Sequence, residues 1–164
     1  MALDSFIKFE GPDVEGDSLV EGHEKELQIM SYSWGLSNPT DTHLSTGSGA
    51  AKANVQDVSC TMNMDKAWPN LIKYCQNGKH FEKVTLYARK AGGDEPVTYK
   101  KMEMEDVIIS SVQDGASDGS EFSSVSFSLN FGKYKITFTP QDSTGAAEAE
   151  IPTGWDIAKN VDNS

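Results

Sequence analysis

The stretch Ser124-Val125-Ser126-Phe127-Ser128-Leu129-Asn130-Phe131-Gly132-Lys133-Tyr134-Lys135-Ile136-Thr137-Phe138 decides the fold class. Val125, Phe127, Leu129 and Phe131 alternate with Ser124, Ser126, Ser128 and Asn130. This period of two belongs to a strand with one apolar and one polar face. After Gly132 the apolar set moves to Tyr134, Ile136 and Phe138, with Lys133, Lys135 and Thr137 between them. A slip of one residue turns every side chain to the other face, so a bulge or tight turn is expected at Gly132–Lys133.

Working outward, the same reading gives strands at Leu3–Phe9, Glu24–Trp34, Ala53–Met62, Phe81–Lys90, Val97–Met104 and Asp106–Val112. Ala91-Gly92-Gly93-Asp94-Glu95-Pro96 is rich in turn formers and is expected to join two strands as a hairpin. One segment has helical spacing instead. Trp68, Leu71, Ile72 and Cys75 fall at i, i+3, i+4 and i+7 and make a packing stripe. Asp65 is expected to cap it, Pro69 sits in the first turn, and Gly78 stops it. About three turns cannot be stable alone, so the stripe must lie on the sheet.

Two strands carry apolar residues at both parities: Val107, Ile108, Ile109 and Val112, and Leu27, Ile29, Met30, Tyr32 and Trp34. A half-buried strand needs one apolar face. The second face packs inside the domain, the favoured reading, or against another subunit. Residues 36–53 show no period, and segments of this length without structure are uncommon in compact domains. Either a loose loop or an arm that reaches a partner fits. The segment 141–153 is similarly irregular. Gly154-Trp155-Asp156-Ile157 then brings back apolar side chains that should dock on the body.

The chain has 164 residues, the size of one domain, and buries roughly 70% of its unfolded surface without needing a metal or disulfide. It carries 25 acidic against 14 basic residues, a net charge of −11. Basic clusters are limited to Arg89-Lys90 and Lys100-Lys101, so nucleic acid and anionic membranes are poor partners, and the charge favours a soluble subunit. Cys60 and Cys75 read as small apolar residues of a reduced cytosol rather than a disulfide framework. Met1 to Glu10 contains Asp4, Lys8 and Glu10 and no apolar run, unlike a secretory signal. No stretch approaches the ~18 apolar residues of a membrane span.

Motifs for chemistry are lacking. His23-Glu24 opens like a zinc-protease helix, but Leu27 stands where the second histidine belongs. His23, His43 and His80 are expected on the surface. The acidic stretch Asp114–Glu121 lacks the alternating ligands of a calcium loop and reads as a solvated turn. Gly47-Ser48-Gly49 with Lys52 lacks phosphate-loop spacing, and no Gly-x-Ser-x-Gly elbow occurs. Tyr32, Trp34, Trp68 and Trp155 fit a core or interface better than a ligand groove. No cofactor, metal or catalytic residue is expected, and the chain is not read as an enzyme.

Taken in order, Phe6-Ile7-Lys8, Gly16, His23, Ile29-Met30-Ser31-Tyr32-Ser33-Trp34-Gly35 and Asn54-Val55-Gln56-Asp57 resemble the Hcp family of type VI secretion tube proteins. The likeness continues through Asp65, Pro69-Asn70-Leu71, Cys75, Gly78-Lys79-His80, Leu86, Arg89-Lys90-Ala91-Gly92-Gly93, Tyr99, Val107–Val112, Leu129-Asn130-Phe131, Gly154-Trp155-Asp156-Ile157 and Asn160. It is collinear over almost the whole chain. Trp68 departs from the small residue the family more often has there, which bears on local packing.

The resemblance implies a mainly β fold, a β-barrel of two packed sheets with one flanking α-helix, in a single domain over 1–164, related to phage tail-tube proteins. It implies a homo-hexameric ring that stacks into a tube. A contractile sheath expels the tube behind a VgrG-type spike, with effector proteins in the lumen. The protein would be made in the cytoplasm and secreted without a signal peptide. Residues 36–53 match the family's extended inter-ring loop, which nominates Ser37, Asn38, Thr40, Asp41, His43, Leu44, Ser45, Thr46, Ser48 and Lys52. Ser31 and Ser33 are candidates for the lumen face that touches cargo, against the plainer reading of ordinary polar strand positions. Some relatives carry an effector domain after the tube domain; with Gly154-Trp155 so near the end, none is expected here. A phage-type tail tube and a secreted carbohydrate-binding β-sandwich remain the alternatives.

Overall fold

The computed structural model describes residues 4–39, 52–90 and 95–164. Its elements are β1 (Asp4–Glu10), β2 (Leu27–Ile29), β3 (Ser31–Ser33), β4 (Leu36–Ser37), β5 (Asn54–Val55), β6 (Val58–Asn63), α1 (Trp68–Asn77), β7 (Phe81–Lys90), β8 (Val97–Gly115), β9 (Ser124–Phe138), β10 (Ile151–Asp156) and β11 (Val161–Asp162). All pairings are antiparallel. The long sheet runs β11-β10-β9-β8-β7-β1-β2, and β6 pairs with both β9 and β3. β4 and β5 form a separate two-stranded ladder.

β9 is the spine. Its first half pairs with β6, from Val58 opposite Leu129 to Asn63 opposite Ser124. Its second half pairs with β10, from Asp156 opposite Lys133 to Ile151 opposite Phe138. β8 runs along its whole length. The sheet rolls so that its apolar faces meet, but it is not hydrogen-bonded all the way round as a closed barrel. Two of its edges, β2 on β1 and β3 on β6, are consecutive pieces of one segment, and Met30 between them donates its N–H to the Thr61 carbonyl at 2.8 Å.

The core holds Ile7, Phe9, Leu27, Ile29, Val58, Met62, Phe81, Leu86, Met102, Met104, Val107, Ile109, Val125, Phe127 and Leu129. Dense packing of such side chains is what drives folding. The segment expected as one strand over Glu24–Trp34 breaks at Met30, which is 55% exposed. Leu27 and Ile29 face inward before it, Tyr32 and Trp34 after it. Both apolar parities are thus used internally. The two strands expected at Val97–Met104 and Asp106–Val112 are one strand that changes phase: Met102 and Met104 are buried, then Val107 and Ile109.

The slip in β9 is absorbed differently from the expectation. Glu105 pairs with Lys133 and Val107 with Phe131, so no register is lost across Gly132. Both strands bend together, and the bend on β8 is Asp106, at φ 56°. The register shift lies further on, between Ile109 and Ser111.

Leu71 is the fully buried residue of α1, and Trp68 and Cys75 pack on the core beside it. Ile72 is half-buried. Tyr74, outside the expected stripe, meets Phe81 edge-on at 5.3 Å. Asp65 is not the cap. Ala67 holds that position without a side-chain bond, and Asp65 Oδ1 instead accepts the Ala67 N–H at 2.8 Å in the preceding turn. Gly78 ends the helix at φ 65°, as expected.

Candidate functional site

The polar residues of β9 that alternate with the core set project from the outside of the roll. Cross-strand partners share a face, so the ladders arrange them in rows. Ser31 (β3), Thr61 (β6), Ser126 (β9) and Gln113 (β8) form one row. Ser33, Ser59, Ser128 and Ser111 form the next. Two complete rows, four strands wide, therefore hold only hydroxyls and one amide.

The hydroxyls bond to one another. Thr61 Oγ1 lies 3.4 Å from Ser126 Oγ, Ser110 Oγ lies 2.7 Å from Ser128 Oγ, and Ser111 shares the Ser128 hydroxyl. At one edge Asp57 accepts from Ser110 Oγ at 2.7 Å and from Asn130 Nδ2 at 2.9 Å, fixing its carboxylate. The rows surround a shallow hollow lined by Ser31, Ser33, Ser59, Thr61 and Ser128. A hydroxyl donates and accepts. The surface thus offers uncharged hydrogen bonds, and its short side chains leave room for bulk.

Beyond the Asp106–Gly132 bend the same outer face changes character. Glu10, Lys83, Glu105, Lys133 and Asp156 form a row of alternating charge across five strands. Beside it Lys83 pairs with Glu103 at 2.9 Å and Lys101 with Glu103 at 3.5 Å. Burial pushes the Glu103 carboxyl upward, but the two lysines outweigh it and hold it below the usual carboxylate range. In a chain of net charge −11, the hydroxyl rows are conspicuous for carrying none.

Ser31 and Ser33 are both exposed and both belong to these rows. Ser59, Thr61, Ser111, Gln113, Ser126 and Ser128 were not nominated by the sequence. The only signal was the serine alternation in β9, since the register that aligns four strands is not local. Of the arm residues, Ser37 pairs with Asn54 and Leu36 with Val55, and the Gln56 N–H donates to the Gly35 carbonyl. Asn38 and Lys52 are exposed. Thr40, Asp41, His43, Leu44, Ser45, Thr46 and Ser48 lie outside the described residues.

The histidines correct an expectation. His23 is 8% exposed, not a surface residue. Its ring stacks on Phe6 at 4.4 Å, and Nδ1 lies 2.9 Å from Glu26 Oε1. His80 is exposed and bonds Asp106 Oδ1 at 2.7 Å. Among the described residues no three His, Cys, Asp or Glu side chains are grouped to hold a metal. No helix of the described residues is long and apolar enough to cross a membrane.

A family model described as "Type VI secretion system effector, Hcp" matches residues 6–138. Protein hcp1 of Pseudomonas aeruginosa is 39% identical over 162 residues, covering 98% of this chain and 99% of its own. Among solved structures, a type six secretion system protein superposes with a TM-score of 0.91 at 27% identity, covering 99% of this chain and 100% of the other. Hcp1 from Salmonella typhimurium gives 0.80 at 30% identity over the same shares.

Proposed function

The chain belongs to the Hcp family of type VI secretion proteins, and from that premise we propose that it is a structural subunit of the secretion tube whose copies close head to tail into hexameric rings. The rings stack, sheath contraction expels the tube behind a VgrG-type spike, and effector proteins travel in the lumen. In this role the protein is secreted and performs no catalysis.

One observation carries the reading: the two charge-free rows on β3, β6, β9 and β8. A passage that holds and then releases folded cargo needs many weak, uncharged contacts. Neutral hydrogen bonds contribute about 0.5–1.5 kcal/mol each, and small side chains leave the bore open. In the proposed ring these rows turn inward, with Ser31 and Ser33 as part of the lumen wall. The β4–β5 ladder supports the second part of the reading. It fixes the base of the 36–53 arm, which engages the neighbouring ring. A head-to-tail interface closes when its rotation divides a full turn.

The test is the mass and shape of the purified protein, by light scattering together with electron microscopy. Six-membered annuli with an open centre are expected. A sample that stays monomeric at millimolar concentration and shows no rings overturns the proposal.

A further inference from the structure

Lys100, Phe138 and Ile151 stand in one cross-strand row where β8, β9 and β10 meet at an end of the sheet. Phe138 is 49% and Ile151 61% exposed, two neighbouring apolar side chains left open to water. Lys100 is half-buried beside them. Its Nζ lies 4.4 Å from the centroid of the Tyr32 ring, and no carboxylate among the described residues pairs with it. The row therefore offers an apolar shelf whose inner end holds a cation with no carboxylate partner among the described residues.

The complement lies on the same molecule. Phe122 is 57% exposed on the turn between β8 and β9, next to the exposed Glu121, which has no cationic partner among the described residues. A protruding aromatic flanked by a carboxylate is what the shelf lacks. The two cannot meet within one copy. Phe122 precedes the start of β9 and Phe138 ends it, about 50 Å apart along the chain at roughly 3.3 Å per residue, with β9 between them held by β8 along its length and by β6 and β10 at its two ends.

We infer that the Glu121–Phe122 turn of one copy seats on the Lys100–Phe138–Ile151 row of the next, Phe122 covering the apolar pair and Glu121 meeting the Lys100 amine. Phe122 is the anchor, because buried aromatics carry most of the energy in such contacts. The ion pair sets orientation, because a charge pair at an interface contributes specificity more than affinity. Using two different patches, the contact is heterologous and repeats in one direction, as ring closure requires. The inference rests on the ring reading and names the surfaces that make it.

Two experiments test it on the full chain. The first places Phe122→Cys and Ile151→Cys together in a Cys75→Ser background and oxidises the protein. A covalent ladder up to six rungs is expected on a non-reducing gel, and one band for either single substitution. The second exchanges the charges. Glu121→Lys on the exposed turn lowers the ring fraction at least tenfold, and adding Lys100→Glu restores it. Rings in the unaltered protein, with no ladder or with rings unaffected by Glu121→Lys, overturn this contact and leave the ring reading standing. An unaltered protein that forms no rings at all overturns both.

Discussion

Asp106 stands across the ladder from Gly132, with its Oδ2 3.4 Å from where a Cβ on Gly132 would lie. The pair is the hinge of the β8–β9 hairpin. Asp106 takes φ 56°, a conformation aspartate tolerates and β-branched residues do not. Asp106→Val is expected to cost about 1–2 kcal/mol. Asp106→Gly should stay within about 1 kcal/mol of the parent, since the exposed hydrogen bond to His80 it loses is worth little. Denaturant midpoints of the two variants check this.

Gly16 is irreplaceable for a different reason. A Cβ there would lie 2.5 Å from the Glu26 carbonyl oxygen and 2.9 Å from the Leu27 Cα, both main-chain atoms that cannot turn aside. Gly16→Ala should therefore lose about 1–3 kcal/mol. Because residues 16–26 bring His23 onto Phe6, the same variant should expose His23 and perturb its NMR signals.

In α1, Leu71 and Ile72 separate the core from its margin. Leu71 is fully buried, and Leu71→Ala should cost about 2–5 kcal/mol. Ile72→Ala, at a half-buried position, should cost less than half of that. Equal losses in thermal or urea unfolding would count against this packing.

Much of this was legible beforehand. Phe81–Lys90 is bounded by sequence alone because Val84, Leu86 and Ala88 alternate with polar residues and turn formers follow. Gly78 was readable because only glycine accepts a left-handed helix end without cost. The failures share a cause. Met30 breaks a strand because its two neighbours pair with different ends of the sheet, a long-range fact. Asp106 joins two strands because the bend is shared with β9. Asp65 has a capping residue's chemistry, but the chain turns two residues later. His23 was misplaced because its cover, Phe6 and Tyr87, comes from strands far away in sequence. Of the hydroxyl rows the sequence singles out only Ser31 and Ser33, because their six companions depend on register.

Cys60 gives the pH dependence. Burial pushes its thiol up to about 12, while in the unfolded chain it titrates near 9.0. Below pH 9 both states keep the proton and stability is unaffected. Between 9 and about 12 only the unfolded chain ionises, so stability falls as pH rises through that window. The thiolate is also the reactive form. At pH 8 a thiol reagent should modify Cys60 only on unfolding and reach the half-buried Cys75 sooner; prompt modification of Cys60 in the folded protein would refute the assignment.

Ser33 tests the proposed lumen wall. Ser33→Trp puts bulk into the row of Ser59, Ser128 and Ser111. At an exposed position it should shift stability by less than about 0.5 kcal/mol. Cargo co-purifying with the ring should fall at least tenfold, roughly 1.4 kcal/mol, with the ring itself intact. Undiminished retention would sink the lumen assignment of Ser33.

The seven residues 27–33 are a seam. Leu27–Ile29 grips β1 and Ser31–Ser33 grips β6, so one short length of chain sews together two margins of the roll. Sewing it requires the opposite margins to have already arrived, which makes it a late event in folding, as pairings distant in sequence are. It is also where the roll comes undone. Losing these seven residues' ladders frees both margins at once, while β7, β8 and β9 remain paired. Amide protons of Leu27 to Ser33 should therefore exchange before those of the β8–β9 hairpin.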